Sequence, residues 1–346
     1  MGLKAEIHEQ PGVLRRLLET QRESAARIAE AIRAREVDYV FIAARGTSDN
    51  AGIYAKYLWG AFNRLPVALA TPSLFTYYNQ PPRLTRALVL GISQSGRSPD
   101  IVGVLEEGRR QGALTVAITN DTGAPLAGAA AHVMDITAGA EHAVAATKTY
   151  TASLMALAML SCAMRDDNGD GFAALARVPA AIEEALRLDE AIARAAERYL
   201  YMAQCVVLGR GFNYATAFEW ALKLKELTYT VAQPYSTADF RHGPIALVAR
   251  GFPVMAVAAR GPVYADTLAL LDRLKEERRA ELLIISDGEE ALARGQVSLR
   301  LPGGLPEWVT PLVSIVPAQL FCYHLTCARG YDPDAPRGLS KVTETL

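Results

Sequence analysis

The sequence predicts an α/β protein made of two tandem domains, each with a parallel five-stranded sheet flanked by helices in a flavodoxin-like three-layer sandwich. Three observations lead to this prediction. Short continuous apolar runs alternate with helical patterns, the same landmarks recur in the two halves of the chain, and polar turns follow several of the apolar runs. Continuous apolar runs of strand length are typical of parallel strands that are covered on both faces.

The first half of the chain supplies the alternating pattern. Residues 13–35 carry apolar positions at helical spacing and predict an amphipathic helix. Apolar runs of strand length and helical patterns then follow in turn. In chain order they are the strand DYVFIAARG, the helix GIYAKYLWGAF, the strands PVALA and ALVLGIS, the helix PDIVGVLEEGRRQG and the strands LTVAITN and HVMDIT.

The second half of the chain repeats three landmarks of the first half at a constant offset of 165 positions. The matching positions are Arg45-Gly46 and Arg210-Gly211, Gly96 and Gly261, and Met134 and Leu299. Three landmarks at one offset indicate a duplicated domain. We therefore expect an N-terminal helical segment at 1–36, a first domain with the phosphate site at 37–190, and a second domain with the catalytic helix at 191–346.

Composition limits the classes of function and the compartment. The formal net charge of −1 provides no basic surface for nucleic acid. The start of the chain lacks the apolar run of a signal peptide, and the apolar stretch at 152–163 is shorter than the ~20 residues of a membrane span. We expect a buried helix there, no membrane partner and a cytoplasmic location. Buried free thiols are expected at Cys162, Cys205, Cys322 and Cys327, whose spacing fits no disulfide framework or zinc site.

Two hydroxyl-rich turns follow predicted strands of the first domain. In the segment LGISQSGRSPD a buried strand leads into a helix that begins near Pro99, and Gly96 lets the backbone approach a ligand. The other turn, Gly46-Thr47-Ser48, ends an earlier strand at the same sheet edge. Hydroxyls and backbone N–H groups at a helix N-terminus bind phosphate. The expected phosphate-binding residues are Thr47, Ser48, Ser93, Gln94, Ser95 and Ser98.

A simpler interpretation is that these serines only cap a helix, with Ser98 as the N-cap residue. The convergence of two hydroxyl-rich turns favours phosphate binding instead. The second copy has Ala258, Ala259 and Arg260 at the positions of Ser93 to Ser95, so we place the anion site in the first copy. Neither turn has the P-loop spacing, and no G-x-G-x-x-G follows the first strand, so we expect no nucleotide cofactor.

These motifs resemble a known family. GTS followed by SQSG, at this spacing in a duplicated domain, resembles the sugar isomerase (SIS) superfamily. More narrowly, the chain is similar to the isomerase half of glucosamine-6-phosphate synthase and its stand-alone relatives, which include glucosamine-6-phosphate deaminases and fructosamine-phosphate deglycases. The likeness runs through EIHEQP, GTS, SQSG, AVAATKTYT, FEWALKLKELTY, RHGPIAL and PRGLSKVT.

The resemblance implies three catalytic residues. Glu226 would move a proton between carbons 1 and 2, and His242, supplied by the neighbouring subunit of a homodimer, would open the sugar ring. Lys341 would form an imine with the open-chain ketose. The six polar residues of the two turns would hold the phosphate, and sugar contacts are expected from Val144, Ala146 and Lys223.

Three positions depart from the synthase pattern. Ala146 stands where the synthase has a serine, and Gln233 and Arg97 stand where it has glutamates. These differences concern the identity of the substrate more than the location of the site.

The residues themselves allow the implied chemistry. Glu219, Lys223 and Glu226 lie on one face of a predicted helix, where the lysine can hold the last carboxylate ionised, as a base requires. A solvated salt-bridge face is the alternative. Similarly, His242 is either a proton shuttle or a structural turn histidine, and Lys341 is either an imine-forming amine or a solvated tail residue.

Two further expectations concern the neighbourhood of the sugar and metals. Glu141 lies just before AVAATKTY, where it would cap or orient the sugar pocket. No cluster of histidine, cysteine and carboxylate residues is apparent in the sequence, so we expect catalysis without a metal.

The choice of reaction depends on the source of nitrogen. The chain has no cysteine before Cys162 and little sequence before its first strand, so we expect no glutaminase domain. The predicted reaction is therefore the deamination of glucosamine 6-phosphate to fructose 6-phosphate and ammonia. The alternatives are a fructosamine-phosphate deglycase, an aldose–ketose isomerase, an aminotransferase-like enzyme without a glutaminase, and a sugar-phosphate-sensing regulator, for which the N-terminal segment leaves no room for a helix-turn-helix module.

Overall fold

A computed structural model describes residues 2–165 and 169–341 of the chain. The chain divides into two compact units that each combine separate segments. What we call the N-terminal unit contains Gly12–Glu141, Lys148–Ala176 and Ser340–Leu346. The C-terminal unit contains Met1–Pro11, His142–Thr147 and Arg177–Leu339.

The N-terminal unit contains a parallel sheet whose strands lie in the order β2-β1-β3-β4-β5. Its strands are β1 (Tyr39–Ala43), β2 (Val67–Leu69), β3 (Ala87–Ile92), β4 (Leu114–Thr119) and β5 (His132–Asp135). This order places a topological switch point between β1 and β3, which is where ligands bind in open α/β sheets. At the carboxyl end of this pair, Ala43 lies opposite Gly91.

Helices connect and cover these strands. In chain order they are α1 (Leu3–Thr20), α2 (Arg22–Ala34), α3 (Thr47–Asn63), α4 (Ser73–Thr76), α5 (Pro99–Arg110), α6 (Pro125–Ala129), α7 (Lys148–Met164) and α8 (Asp170–Ala176). The part of α1 up to Pro11 belongs to the C-terminal unit. Buried apolar residues of β1, β3 and β4 pack against α5 to form one core. Helix α7 is buried around almost its whole circumference, which confirms the buried helix expected at 152–163.

The C-terminal unit has a second parallel sheet with the equivalent order, β7-β6-β8-β9-β10. Its strands are β6 (Gln204–Gly209), β7 (Val231–Ser236), β8 (Pro253–Val257), β9 (Glu281–Ser286) and β10 (Val297–Arg300). Both β1 and β6, and both β5 and β10, begin 165 positions apart, as the sequence landmarks require. The prediction of two tandem parallel five-stranded domains is therefore confirmed.

The remaining helices belong to the C-terminal unit. They are α9 (Val178–Leu186), α10 (Asp189–Glu197), α11 (Tyr214–Thr228), α12 (Thr237–Phe240), α13 (Tyr264–Glu276), α14 (Glu289–Leu292) and α15 (Thr310–Ala328), with 3₁₀ turns at Gly211–Asn213, Pro244–Leu247 and Glu307–Val309. By length and composition the stretch Glu307–Ala328 could cross a membrane, but most of it is buried within the fold, as in a core helix.

Two local expectations were wrong. The single helix expected at 13–35 is two helices, because Gln21 adopts a non-helical conformation and α1 begins ten residues earlier, at Leu3. Pro11 lies inside α1, where burial of Leu3 and Ile7 helps to hold the turn that the proline would weaken. Of the cysteines, Cys162, Cys205 and Cys322 are buried free thiols, but Cys327 is exposed.

Candidate functional site

The two hydroxyl-rich turns leave neighbouring strands of the N-terminal unit. Strand β1 ends at Ala43 and leads into the turn 46–48, while β3 ends at Ile92 and leads into the turn 93–98. Because the paired strands are parallel, both turns emerge at the same sheet edge, at the switch point. The structure therefore brings the six residues expected to bind phosphate to one crevice.

The turn 93–98 leaves the protons of two serine hydroxyls available for a ligand. The Ser93 hydroxyl accepts the Gly96 N–H at 3.1 Å, and the Ser95 hydroxyl accepts the Arg97 N–H at 3.3 Å. Each hydroxyl thereby keeps its own proton for donation to an acceptor. Gly96 has φ +63°, and a Cβ there would lie only 2.7 Å from the Cβ of Ala124, so the turn requires glycine at this position.

Ser98 occupies the N-cap position of α5, but its side chain makes no capping hydrogen bond. The interpretation that the Ser98 hydroxyl caps α5 is therefore wrong, because Ser98 stands at the N-cap position but its hydroxyl accepts no N–H of the helix. Helix α5 has 12 residues, so its N-terminus adds a favourable field for an anion in the crevice.

An ion pair that the sequence analysis did not identify connects the two turns. The Arg45 Nε donates to the Asp100 carboxylate at 2.8 Å, and Asp100 is fully buried in the first turn of α5. Arg45 is half exposed, so its guanidinium adds a positive charge beside the crevice. The available signal was the Arg-Gly pair after the first strand of each copy, and Arg210 in the second copy likewise pairs with Asp266.

The carboxylates and lysine of helix α11 form a buried cluster in the C-terminal unit. The Lys223 Nζ donates to Glu226 and lies 3.5 Å from the Glu219 carboxylate. The side chains of Glu219 and Lys223 are 0% and 1% exposed, whereas Glu226 is 23% exposed. A solvated salt-bridge face is thus excluded. The arrangement holds one partly accessible carboxylate by a buried ammonium, which is the geometry that a positioned base needs.

His242 lies on another element of the same unit. It is exposed on the turn between α12 and the 3₁₀ turn Pro244–Leu247, and its N–H donates to the Asp239 carbonyl at 3.0 Å. The preceding Arg241 is fixed by Asp266 at 2.6 Å. An exposed imidazole on an anchored turn is suited to reach a partner outside this chain, but the role of His242 stays a prediction.

Lys341 is held by a buried carboxylate in the N-terminal unit. Its Nζ donates to Glu141 at 2.7 Å, and Glu141 also accepts the Thr149 N–H at 3.1 Å and the Thr149 hydroxyl at 2.8 Å. Glu141 thus caps the start of α7, a role that the sequence analysis did not foresee, and its role at the sugar pocket stays a prediction. Lys341 is therefore not a purely solvated tail residue, and its amine has a proton acceptor beside it.

The expected sugar-contact residues lie on a connecting segment. Val144 and Ala146 are half-buried within His142–Thr147, which belongs to the C-terminal unit although the chain on either side belongs to the N-terminal unit. Gln233 is exposed on β7, and Arg97 is exposed and paired with Asp121 at 3.3 Å. Among residues 2–165 and 169–341, no group of three histidine, cysteine or carboxylate side chains is arranged to hold a metal ion.

The counterpart crevice of the C-terminal unit is filled by protein carboxyl groups. A Cβ at Gly261 would collide with the Glu307 carboxylate, whose other oxygen faces Gly211. The Arg260 N–H donates to Asp287 at 2.8 Å. Burial and the nearby Asp287 raise the pKa of Glu307 to about 7. Carboxyl groups thus stand where the first copy has hydroxyls, a difference that the sequence indicated only through the lost serines.

This fold and site define a tandem α/β protein with a hydroxyl-lined crevice at the switch point of one sheet. The chain belongs to the SIS domain family, whose model matches residues 35–163 and 202–329. The family expected from the sequence is confirmed, and with it, at the level of the family, the phosphosugar isomerase type of enzyme.

Individual relatives agree with this membership. The chain is 37% identical to a glutamine–fructose-6-phosphate aminotransferase (isomerizing) of Thermus thermophilus, over 97% of this chain and 57% of that protein. The chain thus spans little more than half the length of this curated relative. A candidate phosphosugar isomerase from Silicibacter pomeroyi superimposes with a TM-score of 0.86 and 36% identity, covering 96% of this chain and all of the other. The C-terminal domain of glucosamine-fructose-6-phosphate aminotransferase from Francisella tularensis superimposes with a TM-score of 0.86 and 28% identity, covering 96% of this chain and 98% of the other.

Substitution of Gly96 by alanine tests the shape of the hydroxyl-rich turn. We expect Gly96→Ala to lower the free energy of unfolding by about 2–3 kcal/mol, because the new Cβ is strained at positive φ and crowds Ala124. If the turn binds phosphate, as the sequence analysis expects, the substitution should also weaken binding of a hexose phosphate. Urea unfolding and titration calorimetry measure both effects. Gly112→Ala is the matched control, since Gly112 also has positive φ but open space around it; equal effects of the two substitutions would contradict this interpretation.

The pKa of Glu307 predicts a pH-dependent stability. A carboxyl group whose pKa is raised to about 7 on folding contributes stability that is complete at acid pH and lost as the pH rises through about 7. Glu307→Gln should therefore resemble the wild type at pH 5 and exceed it by ~1 kcal/mol at pH 8, after allowance for screening of a partly exposed group. Urea unfolding at the two pH values measures this, and a constant difference between them would refute it.

Proposed function

We propose that this protein acts on carbons 1 and 2 of an amino-hexose phosphate and converts glucosamine 6-phosphate and water to fructose 6-phosphate and ammonia. The observation that carries the proposal is the buried Glu219–Lys223–Glu226 cluster, which presents one partly exposed carboxylate in a member of a phosphosugar-isomerase family. The hydroxyl-lined crevice of the N-terminal unit supports the phosphate part of the proposal.

The proposed reaction begins with ring opening. The phosphate is bound by the turns 46–48 and 93–98, whose hydroxyls donate to its oxygens. His242 takes the proton of the anomeric hydroxyl and returns a proton to the ring oxygen, which gives the open-chain aldehyde with the amine still on carbon 2. We further propose that the enzyme is a cytoplasmic homodimer in which His242 serves the neighbouring subunit.

Glu226 then carries one proton between two carbons. It removes the proton from carbon 2 while the carbon-1 oxygen takes up a proton from solvent, which produces an enol-amine. It then returns its proton to carbon 1, which produces the carbon-2 iminium of the ketose. Water adds to carbon 2, and ammonia leaves to give the ketone. In one form of the proposal the Lys341 amine, whose proton passes to the Glu141 carboxylate at 2.7 Å, adds to carbon 2 and expels ammonia to form an imine, which water then hydrolyses to the ketone and the free amine. In the other form Lys341 only stabilises the open chain.

A second candidate is the same chemistry in the direction of amination. The 37% identity to an isomerizing aminotransferase favours a chain that forms glucosamine 6-phosphate from fructose 6-phosphate when an amine donor is supplied. This candidate uses the same residues, so the two candidate functions differ only in the direction of the reaction and in the source of nitrogen. A fructosamine-phosphate deglycase or a simple isomerase would instead release a different amine, or none.

The substrate and the role of Glu226 are tested together. The wild type should release ammonia from glucosamine 6-phosphate and form fructose 6-phosphate, and coupled assays measure both products. Fructosamine 6-phosphate and glucose 6-phosphate are assayed in parallel as alternative substrates. Glu226→Gln should lower kcat by ~10²–10⁴-fold, the usual contribution of a general base, while calorimetry still detects binding. Glu276→Gln, at an exposed position of α13, is the control. A variant at Glu226 that turns over at nearly the wild-type rate would refute this role.

Mixed dimers test the contribution of His242 across the interface. Glu226→Gln and His242→Gln should each be inactive alone. If the two residues of one site come from different chains, co-refolding the variants should restore about a quarter of wild-type activity, because half of the dimers are mixed and each has one intact site. Activity is measured as ammonia release. Complete inactivity of the mixture, with mixed dimers verified by mass spectrometry, would place both residues in the same chain.

A further inference from the structure

A carboxylate near the start of the chain is buried against the segment that carries the expected sugar contacts. Glu6, in the first turn of α1, is 0% exposed. Its carboxylate accepts the His142 N–H, and it faces the Ala143 N–H at 3.4 Å from Oε1 and 3.3 Å from Oε2. Glu6 and this segment both belong to the C-terminal unit.

Burying this carboxylate is costly unless its oxygens are hydrogen-bonded. Two consecutive backbone N–H groups supply that compensation, and bonds from an N–H to an ionised acceptor are stronger than those to a neutral one. The dependence is mutual, because Ala143 is itself buried and its N–H would cost free energy without an acceptor. The conformation at His142 and Ala143 is therefore coupled to the presence of Glu6.

The helix that carries Glu6 is firmly anchored. Leu3 and Ile7, which flank Glu6 on the helix, are fully buried. Gln10, also buried, donates through Nε2 to the side chain of Gln319 on α15 at 2.9 Å. The position of Glu6 is therefore set by the packing of α1, and the segment His142–Thr147 is hydrogen-bonded to it.

We propose that Glu6 is a positioning residue that sets the backbone path of His142–Thr147 and so places Val144 and Ala146 against the sugar. Val144 directly follows the second amide that Glu6 faces, so a change in this anchor is transmitted to the sugar-contact residues within one peptide unit. The inference rests on the proposed function, since a sugar contact requires a phosphosugar substrate. Glu6 itself takes no part in proton transfer.

Three variants at two positions test the proposal. Glu6→Gln keeps the length and one oxygen acceptor, Glu6→Ala removes both acceptors, and Glu19→Gln alters an exposed glutamate on the same helix. We expect KM for glucosamine 6-phosphate to rise about tenfold in Glu6→Gln, equivalent to ~1.4 kcal/mol, and further in Glu6→Ala, with kcat changed less than KM. Hydrogen exchange of the peptide covering 142–147 should accelerate in the same order, and the control should match the wild type.

The outcomes separate the inference from the proposed function. If hydrogen exchange at 142–147 is unchanged in Glu6→Gln, the proposal that Glu6 positions this segment is wrong. The proposal is also wrong if Glu6→Gln is less stable but has an unaltered KM, because that result is what a purely structural role predicts. Absence of turnover by the wild type on any phosphosugar would instead refute the proposed function, and exchange would still decide whether Glu6 holds the segment. If Glu6→Ala does not fold, Glu6→Gln carries the test.

Discussion

The strand order 2-1-3-4-5 is the constraint on which both units depend. Because all strands run in parallel, the chain must leave the first and third strands at the same edge and pass to opposite faces of the sheet, which opens a crevice between them. Duplication produced this crevice twice. In the N-terminal unit it is lined with hydroxyls and backbone N–H groups, whereas in the C-terminal unit Glu307 and Asp287 fill the equivalent space. One fold therefore carries one crevice lined with hydroxyls and one lined with carboxyl groups.

Buried carboxylates occur in both units, and each has a specific partner. In the N-terminal unit Asp100 is paired with Arg45, and Glu141 is bound by Thr149 and Lys341. In the C-terminal unit Glu219 lies beside Lys223, which also holds the partly exposed Glu226. A buried ion pair contributes little net stability compared with apolar side chains of the same volume. Such a pair instead fixes the geometry of a charged group. Proton transfer requires this fixed geometry, whereas the stability of a folded core does not.

The sequence predicted the sheets well because parallel strands covered on both faces leave continuous apolar runs, and the 165-residue offset carried that pattern into the second half. It could not decide whether Glu219, Lys223 and Glu226 face water or the interior, since the spacing on the helix is the same in both cases. Three other features depend on residues brought together by tertiary folding, so the sequence could not predict them. They are the crevice occupied by Glu307, the link between Glu6 and Ala143 and the exposure of Cys327. The break at Gln21 was missed because two amphipathic helices in succession preserve a single periodicity.

The account stands on the assignment of the phosphate to the hydroxyl-lined crevice of the N-terminal unit. A crystal structure with fructose 6-phosphate bound tests it most directly. The account predicts phosphate oxygens within hydrogen-bond distance of the hydroxyls of Ser93, Ser95 and Ser98, and the counterpart crevice still occupied by Glu307. A phosphate bound beside Gly211 and Gly261, or at any place outside the turns 46–48 and 93–98, would contradict it.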